Sequence, residues 1–141
     1  YGNFIHYNRH HYLRSKEPAD MTELVNAGIT DDFTLGYADV AGFRLGTCRS
    51  IKWINLPNKE LSDLTLHPLI IMDRTLSDNR YMNMSFSDAL NYCKQLIDKV
   101  HTHHGEVVLL LHNQSLVQTE AFNHGKLYAD LLHYITSISK Q

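Results

Sequence analysis

Five apolar residues run without a break from Val107 to Leu111, between Gly105-Glu106 and the polar Asn113-Gln114-Ser115. A run this short and unbroken suits a strand buried on both faces, as in a parallel sheet. A buried helix segment would give the same pattern, but Gly105 before it and the polar residues after it favour the strand. His112 then stands at the strand's C-terminal end. In open α/β sheets and (β/α) barrels, that is where sites form. The plainer alternative is that His112 merely begins a loop.

The rest of the chain supplies partners for that strand. Leu66 to Asp73 reads as a second buried strand, and it ends in a carboxylate, so Asp73 shares the strand-end placement of His112. Between the two strands, Ser85 caps a helix with Asp88 at its third position. Phe86, Leu90, Cys93, Ile97 and Val100 form one apolar stripe along it. Strand follows helix directly, which is an αβ unit.

Upstream, Asn3 to Tyr7 reads as a short strand. Asp20 with Glu23 three positions on resembles a capping box and predicts a helix near 19–27, with Gly28 as its stop. Ile29 to Leu35 reads as a strand. Asp31 and Asp32 within it point to opposite faces, so only one can face a cleft. Gly36 to Leu56 is glycine-rich and irregular, and it lacks the strand–turn–helix context of a dinucleotide or phosphate loop. Long loops in compact domains are more often functional than filler. Leu127, Leu131, Tyr134, Ile135 and Ile138 mark a terminal helix. The order of elements argues α/β with parallel strands. Periodicity does not say whether they close into a barrel.

Composition narrows the function. The chain has 141 residues, 43% hydrophobic and 20% charged, as in an ordinary globular protein, and they are expected to form a single domain over 1–141. A net charge of -2 predicts no broad basic face for nucleic acid or anionic lipid. No apolar run approaches the ~20 residues of a membrane span. Cys48 and Cys93 form neither a disulfide framework nor a metal knuckle. They suit a reducing, cytoplasmic compartment. The chain begins at Tyr1 rather than Met, so a segment upstream of it is expected.

Several residues have chemistry to offer. Arg9-His10-His11-Tyr12-Leu13-Arg14 is dense in donors that bind anions, or else is a strand edge with solvated bases. Arg44, between Phe43 and Gly46, suits an anion or carboxylate clamp, or a surface position. His101, His103 and His104 fall at a helix end, where cations favour the exposed carbonyls.

Together, Arg9–Arg14, Ala27-Gly28-Ile29, Thr34–Asp39, Gly42–Cys48, Met72–Leu76 and Leu110-Leu111-His112-Asn113 resemble the C-terminal half of polysaccharide-deacetylase-like proteins, in a divergent bacterial branch. The resemblance covers most of the chain. It implies a distorted (β/α) barrel of the NodB type, of which residues 1–141 would be the C-terminal part. The remaining strands would come from upstream of Tyr1 or from a partner, and the segment alone would be aggregation-prone. It also implies metal-dependent removal of acetyl groups from a sugar or cell-surface glycan. A divalent metal such as zinc would be held by ligands upstream.

Arg14 then resembles the arginine that orients the base carboxylate, although the family's Arg-x-Pro-x-Gly reads Arg14-Ser15-Lys16-Glu17-Pro18 here. Asp32 falls where the fourth-motif aspartate would, without the usual tryptophan nearby. His112 matches the histidine that protonates the leaving amine, with Asn113 where the family has Asp. A carboxylate such as Asp32 would hold the imidazole's tautomer. His11, Arg44, Asp73 and Asn113 are the expected carbohydrate contacts. His112, Arg14, Asp32 and Arg44 are expected to converge on one cleft. The alternative is a catalytically silent relative that binds glycan or has a structural role in envelope polysaccharide production.

Overall fold

Parallel strands need crossovers, because the chain must return to the same end of the sheet before pairing again. The computed structural model, which describes residues 4–116 and 122–139, has such crossovers and is mixed α/β. Strand β1 (Tyr7–Asn8) leads through a short 3₁₀ turn at His11–Leu13 and helix α1 (Ala19–Asn26) to β2 (Asp31–Asp32). A hairpin, β3 (Ile51–Asn55) and β4 (Glu60–Leu66), precedes β5 (Leu69–Met72). Helix α2 (Asp73–Ser77), helix α3 (Phe86–Thr102), strand β6 (Val108–Leu110) and helix α4 (His124–Ile138) complete the order.

β1, β2 and β4 pair in parallel, with β3 antiparallel beyond β4, and β5 pairs in parallel with β6. The two sheets are joined by the two-residue step His67-Pro68. Pro68 has no N–H to give a ladder, so the pairing breaks there. Backbone contacts carry on across the break: the His67 amide donates to Asp32 O at 2.8 Å and the Leu69 amide to Leu35 O at 3.1 Å. β1, β2, β4, β5 and β6 therefore run as one bent surface.

Helix ends follow local chemistry. Gly28 (φ 79) follows α1, and the Gly28 and Ile29 amides return to Val25 O and Leu24 O, which closes the helix as glycine does. At its start, Pro18 holds the cap position, and Asp20 is the second helical residue, where Oδ2 accepts from the Lys16 amide at 2.7 Å. The expected capping box is thus not formed. Ser85 caps α3 as expected, accepting from the Asp88 amide.

Three cores result. Cys93, Leu96, Ile97 and Val100 of α3 and Leu127 and Leu131 of α4 cluster with Ile70 and Ile71 of β5. Leu13, Leu69, Met72 and Val108 form a second cluster. α1 covers the hairpin, with Met21, Leu24, Trp53, Leu64 and Leu66 in contact, and the Trp53 indole donates to Glu17. Each large apolar side chain removed from water contributes roughly 1.5–3 kcal/mol.

Three strand expectations are corrected. The strand expected over 29–35 is regular only at Asp31–Asp32, because Asp32 Oδ1 draws the Thr34 amide out of the ladder. The irregular stretch to Leu56 contains β3. Among the described residues β6 pairs only with β5, and Leu109 and Leu110 are half-buried rather than buried on both faces. Asn3, placed in the first expected strand, lies outside the described residues. No described helix is long and apolar enough to cross a membrane.

Gly105 is fixed by close approach. A Cβ there would stand 2.4 Å from Cys48 Sγ and 2.5 Å from Cys48 O, where the Glu106 amide donates to that same carbonyl. Gly105→Ala is expected to cost about 1–3 kcal/mol through forced displacement. A chemical-denaturation midpoint unchanged from wild type would disprove the contact.

Candidate functional site

β5 and β6 are parallel neighbours in register at Met72 and Leu110, so the residues just past their ends emerge side by side. Those residues are Asp73 and His112. Asp73 Oδ1 lies 2.7 Å from His112 Nδ1, and Asp73 Oδ2 accepts the His112 amide at 2.8 Å. Oδ1 also accepts the Arg74 amide at 2.7 Å. One carboxylate thus holds both the ring and the backbone of the histidine.

Asp73 is 2% exposed, whereas the His112 side chain is 41% exposed. Burial pushes the Asp73 carboxyl up. The Ser115 hydroxyl, the His112 amide and ring, and the Arg74 amide more than offset it, so its pKa lies below the ordinary value. An ionised carboxylate only accepts, so Nδ1 carries the proton facing it. Nε2 has no partner among the described residues, on a side chain that borders a cleft.

That cleft has a volume of 690 Å³ and opens at the C-terminal ends of β1, β5 and β6. The loop from Arg9 to Arg14 forms one wall; Met72, Arg74, Leu110, His112 and Gln114 form another; Asp78, Arg80 and Tyr81 close the rim. The 3₁₀ turn turns outward through two left-handed residues, Tyr12 (φ 61) and Leu13 (φ 53), which leaves Tyr12 75% exposed and stacked on His11 at 4.2 Å. Non-glycine residues in that region cost of order 1 kcal/mol each and cluster at functional sites.

The expected residues divide. His112, His11 and Arg14 border this cleft, with Asp73 beneath it. Arg14 also borders an adjoining cleft of 410 Å³ that contains Arg44, whose Nη1 donates to Gly36 O. Asn113 is exposed, and its side chain caps the Gln114 amide locally. Asp32 joins neither cleft. It is buried and accepts from Asn8 Nδ2, the Thr34 amide and the Thr34 hydroxyl. The carboxylate that holds His112 is therefore Asp73, not Asp32. The physical reason is register: β2 is separated from β6 by the strand run β4–β5, whereas β5 adjoins β6.

Arg74 and Arg80 were not singled out from sequence as site residues. Their signal was the step past a strand end, which carries Arg74 next to Asp73. A second charged cluster also went unread. His67 Nε2 lies 2.8 Å from Asp31 Oδ1, and Nδ1 lies 2.9 Å from both Glu106 oxygens, with the ring stacked on Phe33 at 4.3 Å. Burial lowers the His67 pKa, but the two carboxylates prevail and raise it. Among the described residues no three His, Cys, Asp or Glu side chains are grouped to hold a metal ion. Comparison with family models, curated proteins and solved structures returned no match.

Proposed function

We propose that the chain belongs to a polysaccharide-deacetylase-like hydrolase, in which His112 protonates the leaving group as an acetyl group is cleaved from a sugar or cell-surface glycan. The observation that carries the reading is the Asp73–His112 pair at the mouth of the cleft. A buried, ionised carboxylate fixes the tautomer, and the exposed imidazole keeps one nitrogen facing the cleft for proton transfer. Arg14, on the facing wall, has no hydrogen bond or ion pair from its guanidinium among the described residues, and in this reading it orients a base carboxylate.

The described residues offer no ligand set for a divalent metal. In this reading the ligands, and the strands that would complete a NodB-type barrel beside β1 and β6, come from outside the segment. The metal, zinc by resemblance, would supply a polarised carbonyl and an activated water. Everything assigned here to the chain's own residues is proton delivery and positioning. Tyr12 and Tyr81 at the rim suit stacking against sugar rings.

The test is acetate release from acetylated oligosaccharides by the full-length protein, with and without His112→Ala. Release that the variant abolishes supports the reading. Release that survives unchanged removes His112 from the reaction; binding of glycan without any release favours the silent glycan-binding relative.

A further inference from the structure

We infer that the cleft takes a glycan carrying an acidic group, a phosphate, sulfate or carboxylate, beside the position on which His112 acts. The inference deepens the proposed function and rests on the same cleft. Its basis is charge. Among the described residues, four guanidiniums, from Arg9, Arg14, Arg74 and Arg80, border the cleft against one carboxylate, Asp78. The chain as a whole carries -2, so the positive charge is concentrated here.

Pairing decides which of these charges are available. Arg80 is spent on Asp78, through Nε and Nη2 contacts of 2.9 and 2.7 Å. Arg14 has its place in the proposed reaction. Arg9 donates through Nε to Phe33 O, lies over the Phe33 ring and has Asp32 nearby, which fixes it as part of the wall. Arg74 is exposed, and its guanidinium has no hydrogen bond or ion pair among the described residues.

Like charges crowded into a concavity repel one another, and an anion relieves that repulsion. A guanidinium fork matches phosphate, sulfate and carboxylate alike through paired N–H donors. The volume of 690 Å³ is that of a small-molecule site. Arg74 follows Asp73 in the chain, so an anion it holds lies beside the histidine that Asp73 holds.

The test is a binding titration on the full-length protein, with three oligosaccharides of equal length as probes: one phosphorylated, one of hexuronic acids, one uncharged and acetylated. Wild type is expected to prefer one or both acidic probes, with the preference shrinking as salt rises. Arg74→Gln should weaken acidic binding about tenfold and leave uncharged binding unchanged. Arg74→Lys should restore part of it. The guanidinium is exposed, so these variants should fold. The phosphorylated and uronic arms separate the two sources of negative charge. Equal affinity for charged and uncharged probes overturns the inference, as does preference that survives in Arg74→Gln. Acidic preference without acetate release keeps the inference and removes the deacetylase reading. Release from uncharged glycan without acidic preference does the reverse.

Discussion

Asp73→Asn is expected to lower acetate release by about 10²–10⁴-fold, the usual contribution of a positioned proton donor. The donors at the two Asp73 oxygens include the His112 ring, the His112 amide and the Arg74 amide. A carboxamide presents one oxygen and one NH₂. Placed either way, the NH₂ faces a donor, or the imidazole takes the other tautomer and Nε2 is protonated while neutral. The site is buried, so the mismatch should also cost roughly 2–3 kcal/mol. His112→Ala should lose the same activity with a smaller fall in melting temperature, because both backbone donors to Asp73 remain.

The Asp73 pKa is depressed in the folded chain. Its stability contribution is therefore present above the unfolded value of about 4 and is lost as pH falls through the folded one. Asp73→Asn should flatten that acid limb. Full acetate release with a lowered melting point would remove the catalytic role and leave the carboxylate as a structural one.

His67→Ala is expected to cost about 2–4 kcal/mol below pH ~6.5, where the imidazolium joins two carboxylates. Asp31 lies in β2, His67 between β4 and β5, and Glu106 just before β6, so the cluster ties both sheets together. Both ring nitrogens face acceptors, which requires both to carry protons. Removing the ring leaves the carboxylates unneutralised.

The folded pKa of His67 is raised, so its stabilisation is complete below the unfolded value of about 6.5 and is lost as pH rises through the folded value. Asp31 moves the other way, lowered first by the Thr30 hydroxyl and then by His67, and Lys52 acts on it in the same sense. Its part is lost as pH falls through its folded value, below about 4. The cluster should therefore be strongest between about pH 4 and 6.5. Melting temperature against pH, in wild type and His67→Ala, measures it. Parallel curves for the two proteins from neutral to alkaline pH would show that the imidazolium contributes nothing.

Elements with a long apolar period were legible in the sequence. The stripe from Phe86 to Val100, with Ser85 as its cap, gave α3 close to its true limits. Gly28 gave the end of α1. The hairpin was not legible, because β3 buries only Trp53 and β4 begins with exposed Glu60 and Leu61. Its turn, Leu56-Pro57-Asn58-Lys59, was the signal available, with Lys59 at φ 56.

At the site, strand-end placement drew attention to both Asp73 and His112, and the two side chains meet. Their contact depends on β5 and β6 being neighbours, which local patterning does not encode. Asp32 was chosen for its place in a motif order, and the sheet order put β4 and β5 between it and His112. His67 lies 36 positions from Asp31 and 39 from Glu106 in sequence, and the three share no period. Strand pairing on both sides of the His67-Pro68 step brings them together.

The Gly105 contact also shapes the chain's redox chemistry. Cys48 and Cys93 are both buried, Cys48 beneath Gly105 and Cys93 within the α3–α4 core, where burial pushes the thiol up to about 12. A thiol must ionise and meet its reagent before it reacts. In the native state neither condition holds for Cys93, so its alkylation proceeds only when the helix layer parts. Cys48 is 7% exposed and borders a surface cleft with Phe43, Arg49 and His103, so its reaction needs less opening. The two sulfurs thus report on different depths of the same structure, with no label added.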